Sequence, residues 1–348
     1  MVLNPCNSIN SINSINSINS INSINSINSI NSINSINSIN SINSKNSKNS
    51  KNSMNSTNSK LTYSYYPGCS LHASGKEYDI STRGLFKALK IGLKEVPDWL
   101  CCGATPAHNV DELLSLSLCA KNLSLADEVK GDLAVACAAC FSRLKTTQHR
   151  LADNPEKRKQ VEHAIAGSVP EKKVKHLLEI LAKDYGLEQL QEAVQKPLSG
   201  LKVACYYGCL LTRPPEVPEL DCTEAPTIME RVIGATGAET VAWSHRLECC
   251  GANFTLSRPG VVLKLSGDIL ASAKAAGADC LMVACPLCHG NLDIRQKEIE
   301  EATGTRYNMP VFYMTQLLAL AVGVPAAKLG FNSMMVSPLP LLKEKNLL

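Results

Sequence analysis

No stretch of this 348-residue sequence approaches the roughly 18 to 20 uninterrupted apolar residues that a membrane span requires, so it reads as a soluble protein. Nor is there a surplus of charge beyond residue 60. The formal +4 comes from Lys45, Lys48, Lys51 and Lys60, and the rest of the chain balances 31 basic residues against 31 acidic ones. A surface that tracks phosphates needs clustered Lys and Arg, so nucleic acid is not an expected partner. A positively charged n-region followed by an apolar h-region and a small-residue cleavage site is lacking too, which leaves the cytoplasm as the expected compartment. There is no G-x-G-x-x-G and no P-loop, so the chain is expected to bind neither FAD nor NAD itself.

Cysteine, by contrast, is plentiful: 15 residues. That is below the density of a disulfide scaffold, and a chain of this length does not need such staples. Thiols in this number in a reducing compartment point to metal.

Residues 8–60 run "SINSINSIN" and then "NSKNSKNSMNSTNSK", a three-residue repeat with no helical or strand period. Without varied apolar side chains it cannot offset the cost of ordering its backbone, so residues 1–60 are predicted to be a disordered low-complexity tail. The repeat reads as a simple-sequence expansion upstream of an alternative start at Met54; a tether or an asparagine-rich assembly segment is the competing reading.

The body is duplicated. Cys69 is followed after 31 residues by the vicinal pair Cys101 and Cys102, and after 34 more by the C-x-x-C of Cys137 and Cys140. Cys209 is followed after 39 residues by Cys249 and Cys250, and after 34 more by Cys285 and Cys288. Four of the five positions share one offset of 148. The flanks agree as well: "YYPGCSL" with "YYGCLL", "CCGA" with "CCGA", "LAVACAAC" with "LMVACPLC".

In each unit a β-rich run ("YSYYPGC", "KVACYYGC") ends at its cysteine, a helical pattern follows, and a second helix ("DELLSLSLCAKNLSLADEV", "PGVVLKLSGDILASAKAAG") precedes the strand "DLAVAC" or "DCLMVAC". Strands alternating with helices predict an α/β fold of two duplicated Rossmann-like units with parallel sheets. The expected organisation is the tail at 1–60, a first unit at 61–153, a charged, cysteine-free helical connector at 154–196 and a second unit at 197–348.

Ligands of open α/β sheets gather at the carboxyl ends of strands, where this pattern puts Cys69, Cys137, Cys209 and Cys285. A helix opening at each C-x-x-C would aim its free N–H groups at the site and lower the pKa of a thiol. Five candidates per unit is the informative count, because a structural zinc takes four ligands and an ordinary cubane four thiolates. One remains over, and two adjacent cysteines do not easily reach separate corners of one tetrahedron.

With "YYPGCS", "CCGAT", "CAACFSRL", "YYGCLLTRPPE", "ECCGANF" and "CPLCHGNLD", residues 61–325 resemble the cysteine-rich CCG domains found twice in the B subunit of heterodisulfide reductase. The resemblance implies two non-cubane 4Fe-4S clusters, one on Cys69, Cys101, Cys102, Cys137 and Cys140, the other on Cys209, Cys249, Cys250, Cys285 and Cys288. It further implies the reductive cleavage of a disulfide held between the clusters, which splits homolytically so that an iron holds each sulfur before protonation. Electrons would arrive from the flavoprotein of such a complex, its A subunit, through the ferredoxin-like C subunit. One departure concerns the substrate: "CCGATPAH" lacks the proline that methanogen proteins of this kind more often place after the pair, so the disulfide is either that of coenzymes M and B or an analogue. Two other readings stand beside this one, an electron-transfer subunit without disulfide chemistry and a zinc-stabilised interaction module.

Around the array several residues carry two readings each. Gly103 and Gly251 either bring backbone close to cluster sulfurs or simply make turns. His72, His108, His245 and His289 lie near the motifs as proton donors or as ordinary packing residues, and Trp99 and Trp243 as shields or as core. Cys119, Cys205, Cys222 and Cys280 fall outside the array and are expected to be structural thiols, and Cys6 belongs to the tail.

Overall fold

A computed structural model describes residues 61–104, 107–217 and 219–348, apart from the side chain of His108. The repeat, Met54 and Cys6 lie outside the described residues. Each half of the chain builds a four-stranded parallel sheet, as the alternating pattern predicts. The first has the order β2-β1-β3-β4, from β1 (Thr62–Tyr66), β2 (Gly92–Glu95), β3 (Leu133–Val135) and β4 (Val174–His176). The second repeats it as β6-β5-β7-β8, from β5 (Lys202–Tyr206), β6 (Glu239–Thr240), β7 (Cys280–Val283) and β8 (Val311–Tyr313).

Helices cover both faces of the sheets, so every residue of β3 and β7, and of the edge strand β8, is buried. The covering helices include Lys76–Ala88, Glu112–Asp127 and Ala138–Asp153 in the first half and Ile228–Gly234 and Pro259–Ala275 in the second. Glu112–Asp127 starts where Asp111 turns its carboxylate back to accept the N–H of Leu114 at 2.6 Å, a conventional N-cap.

The segment 154–196 is not wholly helical. Its helices Pro155–Ala164 and Leu187–Glu192 flank β4, which pairs with β3 through Leu133 opposite Val174 and Val135 opposite His176. Three residues are too few for an alternating pattern to show, and β2, β6 and β8, at two to four residues, escape notice for the same reason.

The strand order positions the site. From β1 the chain runs outward to β2 and then crosses back to β3, so the carboxyl ends of β1 and β3 flank a topological switch point, where α/β sheets hold ligands. Cys69 and Cys137 follow directly on these two strands, as Cys209 and Cys285 follow β5 and β7. The two switch points face one another across a seam. There the N–H of Ala138 donates to the carbonyl of Ala284 at 3.2 Å, and Ser81 and Thr315 share a buried hydroxyl hydrogen bond of 2.7 Å. Tyr78 also stacks on Tyr313, with ring centroids 4.2 Å apart.

Candidate metal centres at the seam

The structure brings each predicted five-cysteine set together. In the first half Cys101 Sγ lies 3.7 Å from Cys69 Sγ, and Cys102 Sγ lies 3.3 Å from Cys140 Sγ. The second half repeats both contacts, Cys209 with Cys249 at 3.8 Å and Cys250 with Cys288 at 3.7 Å. Within each C-x-x-C the two thiols are close enough to shift one another's protonation. Cys137 and Cys285, one from each set, lie near enough across the seam for each thiol to shift the other's protonation. Cys69, Cys101 and Cys249 are exposed at the outer side, whereas both cysteines of each C-x-x-C are buried.

Local folding explains the convergence. Cys137 and Cys285 are the N-caps of Ala138–Asp153 and of Pro286–His289, so both C-x-x-C motifs open a helix as expected. The vicinal pairs are drawn to the strand ends by two buried tyrosines at duplicate positions. Tyr66 donates its phenol to the carbonyl of Leu100 at 2.7 Å, and Tyr206 donates to that of Glu248 at 2.6 Å. Burial first, and then the surrounding thiols, push both phenols far up, which keeps them as donors.

The thiols divide unequally into proton holders and thiolates. Hydrogen bonds from Cys101 and Cys140 hold Cys102 well below the ordinary thiol range despite its burial. Cys249 is lowered to about 6 by a hydrogen bond from Cys209, against burial, with help from the N–H groups of Gly251 and Ala252. Cys285 is lowered by Cys137 and Cys288 and by the N–H groups of Leu287 and Cys288 at its helix start. Sites that hold thiolate bind soft metal.

Gly103 and Gly251 are turn glycines with φ of 68° and 78°, and each also donates its N–H to the first thiol of its pair, at 3.4 and 3.3 Å. They make turns, and their N–H groups approach cysteine sulfur. Sulfur is crowded instead by two glycines that the cysteine spacing does not single out, although each directly precedes an array cysteine. A Cβ on Gly68 would lie 3.1 Å from Cys140 Sγ, and one on Gly208 would lie 3.3 Å from Cys288 Sγ. Between the halves lies a cleft of about 150 Å³ lined by Cys209, Cys249, Cys250, Cys285 and Cys288 on one wall and Ala104, Ala138 and Ala139 on the other.

The flanking residues sort out by contact. Trp99 packs edge-on against Tyr66 and donates to Glu95 at 3.1 Å, and Trp243 donates to the carbonyl of Cys205 at 3.1 Å, so both brace the tyrosines. His72 sits 3.4 Å from Glu95 on the surface, and His245 bonds Ser244. His289 is buried against Tyr313, and burial lowers it to about 4. His176, which no motif marks, is buried beside the first C-x-x-C. Its Nδ1 accepts the N–H of Leu178, so its Nε2 donates to the carbonyl of Ala136 at 2.9 Å. Cys119, Cys205 and Cys280 are fully buried, as structural thiols should be, and Cys222 is partly exposed.

Among the described residues no group of three or more Cys, His, Asp or Glu side chains is arranged around a single-ion position. The sulfurs are instead gathered in two sets of five. Fold and site together define a duplicated, cysteine-rich α/β protein with its two thiol sets face to face.

Known proteins agree. The cysteine-rich CCG domain matches twice, at residues 63–145 and 203–293. The chain is 33% identical over 273 residues to the 8-methylmenaquinol:fumarate reductase membrane anchor subunit of Wolinella succinogenes, covering 78% of this chain and 95% of that one. It is 30% identical to the B subunit of the ferredoxin/F420H2-dependent CoB-CoM heterodisulfide reductase of Methanosarcina acetivorans (77% and 92% covered), and 30% identical to a heterodisulfide reductase B-subunit-like protein of Archaeoglobus profundus (77% and 93%). The chain belongs to the family of the heterodisulfide reductase B subunit, proteins with cysteine-rich CCG domains. A crystal structure of a hypothetical protein from Helicobacter pylori shares the fold, with a TM-score of 0.64 at 12% identity over 81% of this chain, which spans 53% of that one. No helix among the described residues is long and apolar enough to cross a membrane.

Proposed function

We propose that this chain is the catalytic iron–sulfur subunit of a heterodisulfide-reductase-type complex. Cys69, Cys101, Cys102, Cys137 and Cys140 would hold one 4Fe-4S cluster of the non-cubane kind and Cys209, Cys249, Cys250, Cys285 and Cys288 the other. The observation that carries this reading is the convergence of the thiols, with the same two sulfur contacts in each half, and a cleft whose walls are the second five-cysteine set and Ala104, Ala138 and Ala139 of the first half. The residues present fit such a group, with five thiols per set, thiolate already favoured at Cys102, Cys249 and Cys285, and glycine where a Cβ would press on sulfur. Bound clusters supply electrons one at a time, and cleaving one S–S bond takes two electrons and two protons.

The chain's own residues do the rest. Ala104, Ala138 and Ala139 leave one cleft wall free of bulk, so a thin disulfide can enter beside the second set. Tyr66 and Tyr206 pin the vicinal pairs, and the seam's hydrogen bonds fix the spacing of the two halves. The similarity to a component of a fumarate reductase favours a second reading, electron transfer without disulfide chemistry. Partners of the flavoprotein and ferredoxin-like kinds would deliver the electrons in either case.

Anaerobic purification should give a brown protein with iron and acid-labile sulfide in both halves, and reduced viologen should be oxidised when a disulfide is added. Iron without disulfide-dependent oxidation of viologen selects the second reading. Zinc with no acid-labile sulfide removes both.

A further inference from the structure

Duplication makes each position of one array comparable with its copy, and one pair differs in charge. Arg143 and Asn291 both stand three residues beyond the second cysteine of a C-x-x-C. Asn291 lies in a π-helical turn, Gly290–Ile294, and its amide donates to the carbonyl of Cys250 at 3.1 Å and toward Cys250 Sγ at 3.6 Å. Arg143 lies on the regular helix Ala138–Asp153, on the same face as Cys140, whose sulfur touches Cys102. Its guanidinium donates to Ser115, one helical turn from Cys119, which in turn donates to the carbonyl of Cys102 at 3.4 Å. Its Nε is buried without a hydrogen-bond partner, and among the described residues it has no carboxylate beside it. Ser115 and Cys119 share one helix, so this charge sits a helical turn from the thiol that bonds the backbone of Cys102.

A second difference acts in the same sense. Glu248, beside Cys249, takes the place that Leu100 has beside Cys101, but it is exposed and therefore screened. Arg143, partly buried, dominates.

We propose that Arg143 makes the two arrays unequal, so that the centre held by the first half is reduced more readily than its duplicate. This rests on the iron–sulfur reading above. A fixed positive charge favours the state with one more electron, and cluster potentials respond to net charge nearby. At the effective dielectric of a protein, a full charge about 10 Å away is worth about tenfold in such an equilibrium. Arg143 is a tuning residue that acts through the array and touches no substrate.

The test is a potentiometric titration of the anaerobic, cluster-loaded protein followed by electron paramagnetic resonance. Two separable couples are expected. Arg143→Gln should lower the upper one by about tenfold, ~59 mV for one electron, with iron and sulfide content unchanged. Arg143→Lys, which keeps the charge, should leave it near the parent value. Asn291→Asp, with the opposite charge at the duplicate position, should lower the other couple and widen the gap. Coincident couples in the parent, no shift in Arg143→Gln, or an equal shift in Arg143→Lys would each overturn the proposal while leaving the function standing. Absence of iron would instead remove the function.

Discussion

Replacing Gly68 by alanine perturbs the first array by one methyl group. Gly68 has φ of 76° and ψ of 166°, a region essentially reserved for glycine, where an L-residue is strained by about 1–3 kcal/mol. Its added Cβ would also lie 3.1 Å from Cys140 Sγ and 3.4 Å from Cε1 of Tyr66. Neither neighbour can retreat easily, because Cys140 is buried 3.3 Å from Cys102 Sγ and Tyr66 is held by its bond to Leu100. Gly200 separates the two effects: its φ is 77°, yet nothing lies within 4 Å of the position its Cβ would take. Gly200→Ala therefore bears the backbone cost alone. Gly68→Ala bears the strain of its glycine-only backbone region together with an overpacking cost of about 1–3 kcal/mol, applied to a sulfur. The assays are thermal unfolding, and iron with acid-labile sulfide per chain. Gly68→Ala should melt below Gly200→Ala and lose the iron of one array while keeping that of the other. Equal melting temperatures and equal iron in the two variants would refute the reasoning. Gly208→Ala, at 3.3 Å from Cys288 Sγ, should show the same defect more mildly in the second array.

Two further expectations concern the seam and its surroundings. A double-mutant cycle on Ser81→Ala and Thr315→Ala should give a coupling of about 1 kcal/mol, because their buried hydrogen bond joins the two halves; additive effects would argue against it. Burial lowers His176 to about 4 in the folded chain. As pH falls, the unfolded chain therefore takes up the proton first, near pH 6.5. The stability is full above that value and is lost progressively down to about pH 4, the loss reaching about 2 kcal/mol by pH 5. His176→Phe should flatten this part of the stability curve, measured by chemical unfolding at pH 7.5 and pH 5, and an unchanged slope would sink the assignment.

What the sequence made legible was whatever is repeated. The ten array cysteines stand out because their spacings recur, and the parallel α/β character follows from long helical patterns between "LAVAC" and "LMVAC". The edge strands were not legible, since two to four residues cannot display a period and β6 is exposed at both of its positions. Gly68 and Gly208 stand directly beside the cysteines, but their importance lies in a distance to a sulfur 72 or 80 residues away in the chain. His176 and Arg143 were invisible for a related reason. Their contacts run between elements, and only the strand order brings those elements together. Even the switch point, which explains why the arrays form where they do, required knowing that β3 returns past β1.

The seam also bears on how such a protein arises. Phe141 and His289 occupy duplicate positions after the C-x-x-C, and His176 and Tyr313 end equivalent strands, yet the histidine changes sides: Phe141 meets His176 edge-on, while His289 lies flat on Tyr313. The second stack continues across the seam, where Tyr78 of the first half lies on Tyr313 of the second. A junction built from unlike residues of the two halves suits covalent fusion, because linked partners meet at a fixed effective concentration and do not drift apart on dilution.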